Sequence, residues 1–147
     1  MHILDRLRIG TTTSSAAETQ ALAEELARAL PCDATLALHG DLGVGKTTFV
    51  QGLARGFGVH EVVTSPTFNI YTLHRSATRT LVHLDAYRLE SGRQVEDLLL
   101  EDFLISPWCL AVEWPEKIAE WIPSNAVHLH LGITANQQHT IQLNSTA

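Results

Sequence analysis

Three features of this chain have residue types and spacing suited to phosphate chemistry. They are a glycine loop closed by a lysine and hydroxyls, two strand-end carboxylates, and a turn carrying hydroxyls. The loop runs Gly40-Asp41-Leu42-Gly43-Val44-Gly45-Lys46-Thr47, with Thr48 behind it. Its G-x-x-x-x-G-K-T pattern predicts a site for a nucleoside triphosphate. Gly40 and Gly45 allow a tight turn that brings N–H groups against phosphate oxygens, and Gly43 adds a third position without a Cβ. Lys46 supplies a point charge for the β and γ phosphates, and the Thr47 hydroxyl is placed to ligate Mg²⁺. Asp41 is the misfit: a carboxylate beside a triphosphate is unfavourable unless it turns away or caps its own loop.

A bound triphosphate needs Mg²⁺, and Mg²⁺ needs a carboxylate at the end of an apolar strand near the loop. Two such ends occur, Leu81-Val82-His83-Leu84-Asp85 and Leu110-Ala111-Val112-Glu113. In a parallel sheet the C-terminal strand ends share the edge that carries the glycine loop. Either Asp85 or Glu113 then holds the metal, and the other positions or deprotonates the attacking water. Ser65-Pro66-Thr67-Phe68 is a turn or loop, because Pro66 pushes Ser65 out of helical conformation. Thr67 reads equally as a switch-like sensor of γ-phosphate and Mg²⁺ or as a plain turn residue. Arg88 is available to steady transition-state charge or to form a surface ion pair. His83 alternates with Asp85 on one strand face and reads as a packed or hydrogen-bonded histidine rather than a base. His128 and His130 share a strand face, but with no third ligand close in sequence they read as solvated rather than zinc-binding.

The elements that must position these groups are legible in outline. Ala34–Leu38 is a short apolar run ahead of the loop, the length of a buried strand. Behind the loop, apolar residues at 49, 50, 53, 54 and 57 have helical spacing, with Gly56 and Gly58 as the stop. Strand, glycine loop and helix aim a helix N-terminus at an anion. Upstream, residues 2–10 alternate loosely and predict an edge strand. Ser15 with Glu18 makes a capping box for a helix whose face is Leu22, Leu26, Ala29 and Leu30, ending at Pro31. Downstream, 61–64 reads as a short extended piece. Residues 69–73 and 80–84 form a hairpin about the polar turn 75–79. The leucine-rich acidic stretch 94–104 predicts a surface helix, and 109–112 a buried strand. A helix over 115–121 with Pro115 in its first turn follows, then a hairpin of 126–133 and 138–144 bent at Asn136-Gln137. Trp108, Trp121 and Phe57 belong to the core or surface.

The length of 147 residues fits one domain spanning 1–147, large enough to bury a core. No apolar run approaches the ~18 residues of a membrane span, and the start lacks the basic-then-apolar build of a signal peptide. Cys32 and Cys109 stand apart without metal or disulfide spacing, so a cytoplasmic location is expected. The net charge is −6, and the eight arginines and two lysines are scattered. Gripping nucleic acid unaided calls for a basic stripe, so direct tight binding of RNA or DNA is not expected.

Four motifs in order resemble the bacterial TsaE (YjeE) family. They are the glycine loop continued to Thr48-Phe49, Ser65-Pro66-Thr67-Phe68, His83-Leu84-Asp85-Ala86-Tyr87-Arg88, and Val112-Glu113-Trp114. The glycine loop alone is generic; the H-x-D-x-Y-R element with Glu-Trp is far more specific. The resemblance covers nearly the whole chain and implies an α/β fold of P-loop NTPase type. Such a fold has three layers and a largely parallel central sheet with antiparallel hairpin strands. It also implies a Mg²⁺-dependent ATPase of tRNA threonylcarbamoyladenosine biosynthesis. That enzyme would reset a TsaB–TsaD complex rather than transfer the group itself, and would meet tRNA only through the complex, without a membrane.

By motif match, ATP and Mg²⁺ are the cofactors. Residues 40–48, with Lys46 catalytic, hold the nucleotide. Thr47, Asp85 and Glu113 form the metal-side set, with Glu113 also catalytic or water-orienting. Ser65, Thr67, Tyr87 and Arg88 are switch-like or lie near the partner surface. Val44 stands where alanine is common in the family, and the resemblance carries no role onto the polar tail. Two other readings remain at this level: a small-molecule kinase, though no arginine-rich lid follows the loop, and a nucleotide-gated binding module that does not hydrolyse. A GTPase is disfavoured, because no Asn-Lys-x-Asp element is present to read guanine.

Overall fold

The computed structural model describes residues 2–64, 66 and 70–144. Seven strands form one sheet in the order β1-β7-β6-β2-β5-β4-β3. They are β1 (Thr11–Thr13), β2 (Ala34–His39), β3 (Tyr71–Arg75), β4 (Thr80–Asp85), β5 (Trp108–Glu113), β6 (Val127–Ile133) and β7 (His139–Asn144). The four central strands, β6-β2-β5-β4, pair in parallel, and antiparallel β3 and the β7–β1 pair close the two edges. A parallel centre has both faces covered, and β2, β4 and β5 are accordingly almost wholly buried.

On one face lie α1 (Ile3–Ile9), α2 (Ala16–Ala29) and α3 (Lys46–Gly56), packed on Leu36, Leu38, Leu81, Leu129 and Ile141. On the other, Val82, Leu84, Leu110 and Val112 are covered by short pieces contributing Leu89, Val95, Leu100 and Ile118. The result is a mixed α/β sandwich whose larger helical layer stands behind the glycine loop.

The expected capping box is present. Ser15 Oγ accepts the Glu18 N–H at 3.1 Å, while the Glu18 carboxylate accepts the Ser14 N–H at 2.6 Å, so the reciprocal bond reaches one residue further back. Both hairpins also form where the alternation placed them.

Four expectations are corrected. Residues 3–9 are helix, not an edge strand: Ile3 and Leu7, four apart, are the buried pair, and that spacing is a helical face. The edge strand begins only at Thr11, after Gly10 turns the chain. The stretch 94–104 is not one helix but α4 (Gly92–Glu96) and a 3₁₀ turn over Leu100–Phe103, separated by Leu99 in left-handed conformation. Val95 and Leu100 are both buried, and five residues apart they cannot share one helix face. Residues 115–118 make only a 3₁₀ turn, with Pro115 first as expected. The piece 61–64 joins no strand; the Gln51 side chain donates to the Val63 carbonyl at 2.9 Å instead.

α3 ends within the expected Gly56–Gly58 stop, and Gly56 also serves packing. It is the last helical residue, and a Cβ there would stand 2.6 Å from the Ala27 Cβ of α2. Gly58, at φ 84°, makes the turn. Gly52 likewise faces α2, where a Cβ would meet Ala23 Cβ at 2.7 Å. The two glycines let α2 and α3 approach closely, and that contact fixes the axis of the helix that starts at the loop. Replacing Gly56 with Ala gains helix propensity of up to ~1 kcal/mol but overpacks this contact at ~1–3 kcal/mol. A net loss in urea unfolding midpoint is the expected outcome; a gain would mean the helices separate freely.

Candidate functional site

β2 runs out of the sheet at His39, and the glycine loop carries the chain from its C-terminal end into α3. Gly45 is the helix N-cap at φ 98°, a left-handed conformation open to glycine, and Lys46 begins the first turn. The Val44 side chain is buried beneath the loop as its anchor. Gly40 serves packing as much as turning: a Cβ there would lie 2.6 Å from the Leu131 carbonyl of β6. Gly43, by contrast, has no atom of the described residues within 4 Å of where a Cβ would stand. Asp41 is exposed and is not among the residues that line the cleft.

The cleft holds about 350 Å³ and is lined by Leu42, Gly43, Gly45, Lys46, Thr47, Thr48, Asp85, Glu113 and Trp114. The glycine loop and both strand-end acids therefore meet in one place. Parallel pairing sets Asp85 directly opposite Glu113 in adjacent strands. Tyr87 and Arg88 are exposed and outside the lining; Tyr87 meets it through the Trp114 ring, centroids 5.1 Å apart, and through its backbone N–H, which donates to Asp85. Ser65 and Thr67 lie outside the described residues.

Lys46 is buried, and its ammonium donates to the Gly40 carbonyl at 2.6 Å while resting 3.7 Å above the Trp114 ring. Burial pushes its pKa down, against the pull of Glu113, Glu116, Asp85 and Asp41. Burial pushes the Asp85 carboxyl up; the Tyr87 N–H bond at 3.0 Å opposes this, and neighbouring Glu113 adds to it. Glu113 is buried and accepts from His83 Nε2 at 2.5 Å. His83 is thus hydrogen-bonded, as its placement beside Asp85 suggested.

Two contributors escaped the sequence reading. Trp114, at φ 56°, turns its ring onto Lys46; its only signal was its place after Glu113. His139, on the tail hairpin, donates from Nδ1 to the Val44 carbonyl at 2.9 Å and so holds the loop from behind. Nothing local to position 139 announces a contact with position 44.

The histidines of β6 do have a third neighbour. His39 stacks on His130 at 4.4 Å and on His128 at 5.1 Å, on the sheet face turned from α3. Burial first, then His130 and His128, push His39 down to about 4. Stacked rings do not converge on one point, and among the described residues no group of three His, Cys, Asp or Glu could hold a metal.

A glycine loop between a central parallel strand and the helix behind it, in a seven-stranded mixed sheet, defines a protein of P-loop NTPase-like α/β fold. The model of the family "Threonylcarbamoyl adenosine biosynthesis protein TsaE" matches residues 13–142, and the chain belongs to that family. It is 38% identical over 112 residues to the "tRNA threonylcarbamoyladenosine biosynthesis protein TsaE" of Bacillus subtilis (strain 168), covering 76% of this chain and 70% of the relative. The protein of that name from Treponema pallidum (strain Nichols) is 33% identical over 127 residues, covering 86% and 93%. Among solved structures, Bacillus subtilis YdiB superposes with a TM-score of 0.76 at 30% identity, covering 91% of this chain and 82% of that one. The family's pathway is therefore tRNA threonylcarbamoyladenosine biosynthesis. No helix among the described residues is long and apolar enough to cross a membrane.

The raised Asp85 carboxyl has a consequence for stability. A carboxyl whose folded pKa exceeds the unfolded value binds more protons folded than unfolded, so stability falls as pH rises above the ordinary 3.8. At neutral pH the ionised form is a standing penalty. Asp85→Asn keeps an oxygen for the Tyr87 N–H and removes that charge. It should raise the melting temperature of the ligand-free protein at neutral pH and above, with the gain shrinking as pH falls toward the ordinary 3.8. Thermal scans across that range check it; a pH-independent difference would overturn the assignment.

Proposed function

We propose that this chain is a Mg²⁺-dependent ATPase that works on a TsaB–TsaD complex in tRNA threonylcarbamoyladenosine biosynthesis. One observation carries the reading: Lys46 and Thr47 at the start of α3 share a single cleft with Asp85 and Glu113. The residues suit the ligands. The open space over Gly43 and the α3 N-terminus offer N–H groups to phosphate oxygens, and the two facing carboxylates form a pair short of a cation. Thr47 and Asp85 would hold Mg²⁺, which when bound would neutralise charge on the β and γ phosphates.

Each side chain then has one task. The loop backbone binds and aligns the triphosphate. Lys46 leaves the Gly40 carbonyl for the phosphates, carrying its charge to where negative charge builds. Glu113, fixed by His83 and placed across from Asp85, orients the attacking water and is the acceptor for its proton. Trp114 roofs the lysine and limits water on that side. Arg88 stands outside the cleft, and no arginine lines it, so the described residues supply no guanidinium clamp for the transition state. A P-loop enzyme without such a clamp is slow until a donor arrives in trans, which adds ~10³-fold or more. With net charge −6, contact with tRNA falls to the partners.

Glu113→Gln should retain ATP binding and lose ~10²-fold or more in turnover. Asp85→Ala should instead weaken Mg²⁺-dependent binding, and Lys46→Ala should lose both binding and turnover. A fluorescent ATP analogue titrated with Mg²⁺, beside steady-state phosphate release, separates the roles; a reversed pattern for Asp85 and Glu113 would exchange them.

Phosphate release by the protein alone should be slow, unchanged by tRNA alone, and accelerated by the TsaB–TsaD complex at matched salt. Full activity in isolation, or stimulation by a phosphate-accepting metabolite, would point to a kinase instead.

A further inference from the structure

We infer that His83 is a positioning residue for hydrolysis. It clamps one oxygen of the Glu113 carboxylate and so dedicates the other to the attacking water. This rests on the ATPase reading of the cleft and adds a residue to it. The observations are geometric. His83 is fully buried on the α3 face of β4, two residues before Asp85 on the same face. Its direct partner across to β5 is Ala111, and Glu113 is the diagonal neighbour one pleat further on. Diagonal side chains are ~7–8 Å apart at the backbone, so only long or aromatic residues span them. The small Ala111 leaves the path open, and His83 Nε2 meets Glu113 Oε2 at 2.5 Å.

The second nitrogen makes the case. His83 Nδ1 is buried and has no hydrogen-bond partner among the described residues. A buried polar atom without a partner is unfavourable, and leucine at this site, on the same strand face as the buried Leu81, would carry no such penalty. Donation to a carboxylate fixes the proton on Nε2, leaving Nδ1 as a bare acceptor. The imidazole therefore does one thing, which is to hold Glu113. Glu113 is buried, lines the cleft, and among the described residues has His83 as its side chain's hydrogen-bond partner. A carboxylate with one oxygen committed cannot rotate both oxygens away from the nucleotide, and outer partners of this kind typically contribute ~10–100-fold to activity.

The test compares His83→Leu, His83→Gln and His83→Asn in the full chain. Glutamine places an amide N–H near the position of Nε2, leucine offers no donor, and asparagine keeps polarity but falls short. Phosphate release with the TsaB–TsaD complex gives kcat, and a fluorescent ATP analogue gives the dissociation constant. His83→Leu and His83→Asn should lose ~10–100-fold in kcat with nucleotide affinity unchanged, and His83→Gln should recover most of the loss. In a Glu113→Gln background, His83→Leu should cost no further rate.

If leucine prevents folding, the glutamine–asparagine comparison decides. Equal rates for those two, a loss confined to affinity, or a wild-type rate for His83→Leu would overturn the inference while leaving the ATPase reading intact. Full turnover by Glu113→Gln alone would overturn the inference together with the role given to Glu113, whereas no phosphate release by the wild-type protein with the complex would overturn the ATPase reading itself.

Discussion

The register of three parallel strands is the constraint on which the site depends. β4, β5 and β2 are hydrogen-bonded so that Asp85, Glu113 and the exit to the glycine loop arrive at one sheet edge. A slip of one residue in β4 would turn His83 and Asp85 to the opposite face and bury them among the leucines there. The register is enforced by burial on both faces. Leu81 and Leu84 each have one cluster to enter, and exchanging them would leave both clusters underfilled. The fold thus keeps two acids adjacent at an edge where, without a ligand, their proximity is unfavourable.

The loop is braced from parts of the chain far from it in sequence. Leu131 closes on Gly40, His139 holds Val44, and the α2–α3 contact through Gly52 and Gly56 fixes the helix that follows. A second line of bonds runs from Arg55 to Gln20, from Gln20 to Gln51, and from Gln51 to the Val63 carbonyl. His74 holds Glu61 at 2.6 Å. The segment leading from α3 toward Thr64 is therefore tied at two points, Glu61 and Val63. Rigid supports around a phosphate loop reduce the reorganisation needed when charge develops.

Much of this was legible because the relevant chemistry is contiguous. The glycine loop announces itself through φ requirements and charge, and Asp85 and Glu113 each close an apolar run. Their meeting follows from a parallel sheet. What was not legible depends on partners distant in sequence. The bond from His139 to Val44 joins positions 95 residues apart, and the bond from His83 to Glu113 is a diagonal that only exact register and a small Ala111 permit. The third histidine, His39, was hidden the same way, since it joins His128 and His130 only across the β2–β6 pairing. Residues 3–9 misled for a different reason: loose alternation and an i, i+4 apolar pair coexist there, and burial chose the latter. At 94–104 local propensity favoured one helix, while the need to bury both Val95 and Leu100 broke it.

The resting place of Lys46 bears on how a ligand leaves. Its ammonium already has an oxygen at 2.6 Å and an aromatic face at 3.7 Å. An arriving phosphate therefore gains only the difference between those contacts and its own. The same holds in reverse: once the terminal phosphate has gone, the amine has somewhere to return to that needs no water to enter. An intramolecular competitor of this kind lowers affinity for every phosphate species alike. Its relative weight is greatest for those that offer the lysine fewest oxygens. On the proposed ATPase reading it would act as a threshold, favouring exchange of spent nucleotide over retention, with the Trp114 ring as the surface the amine returns to.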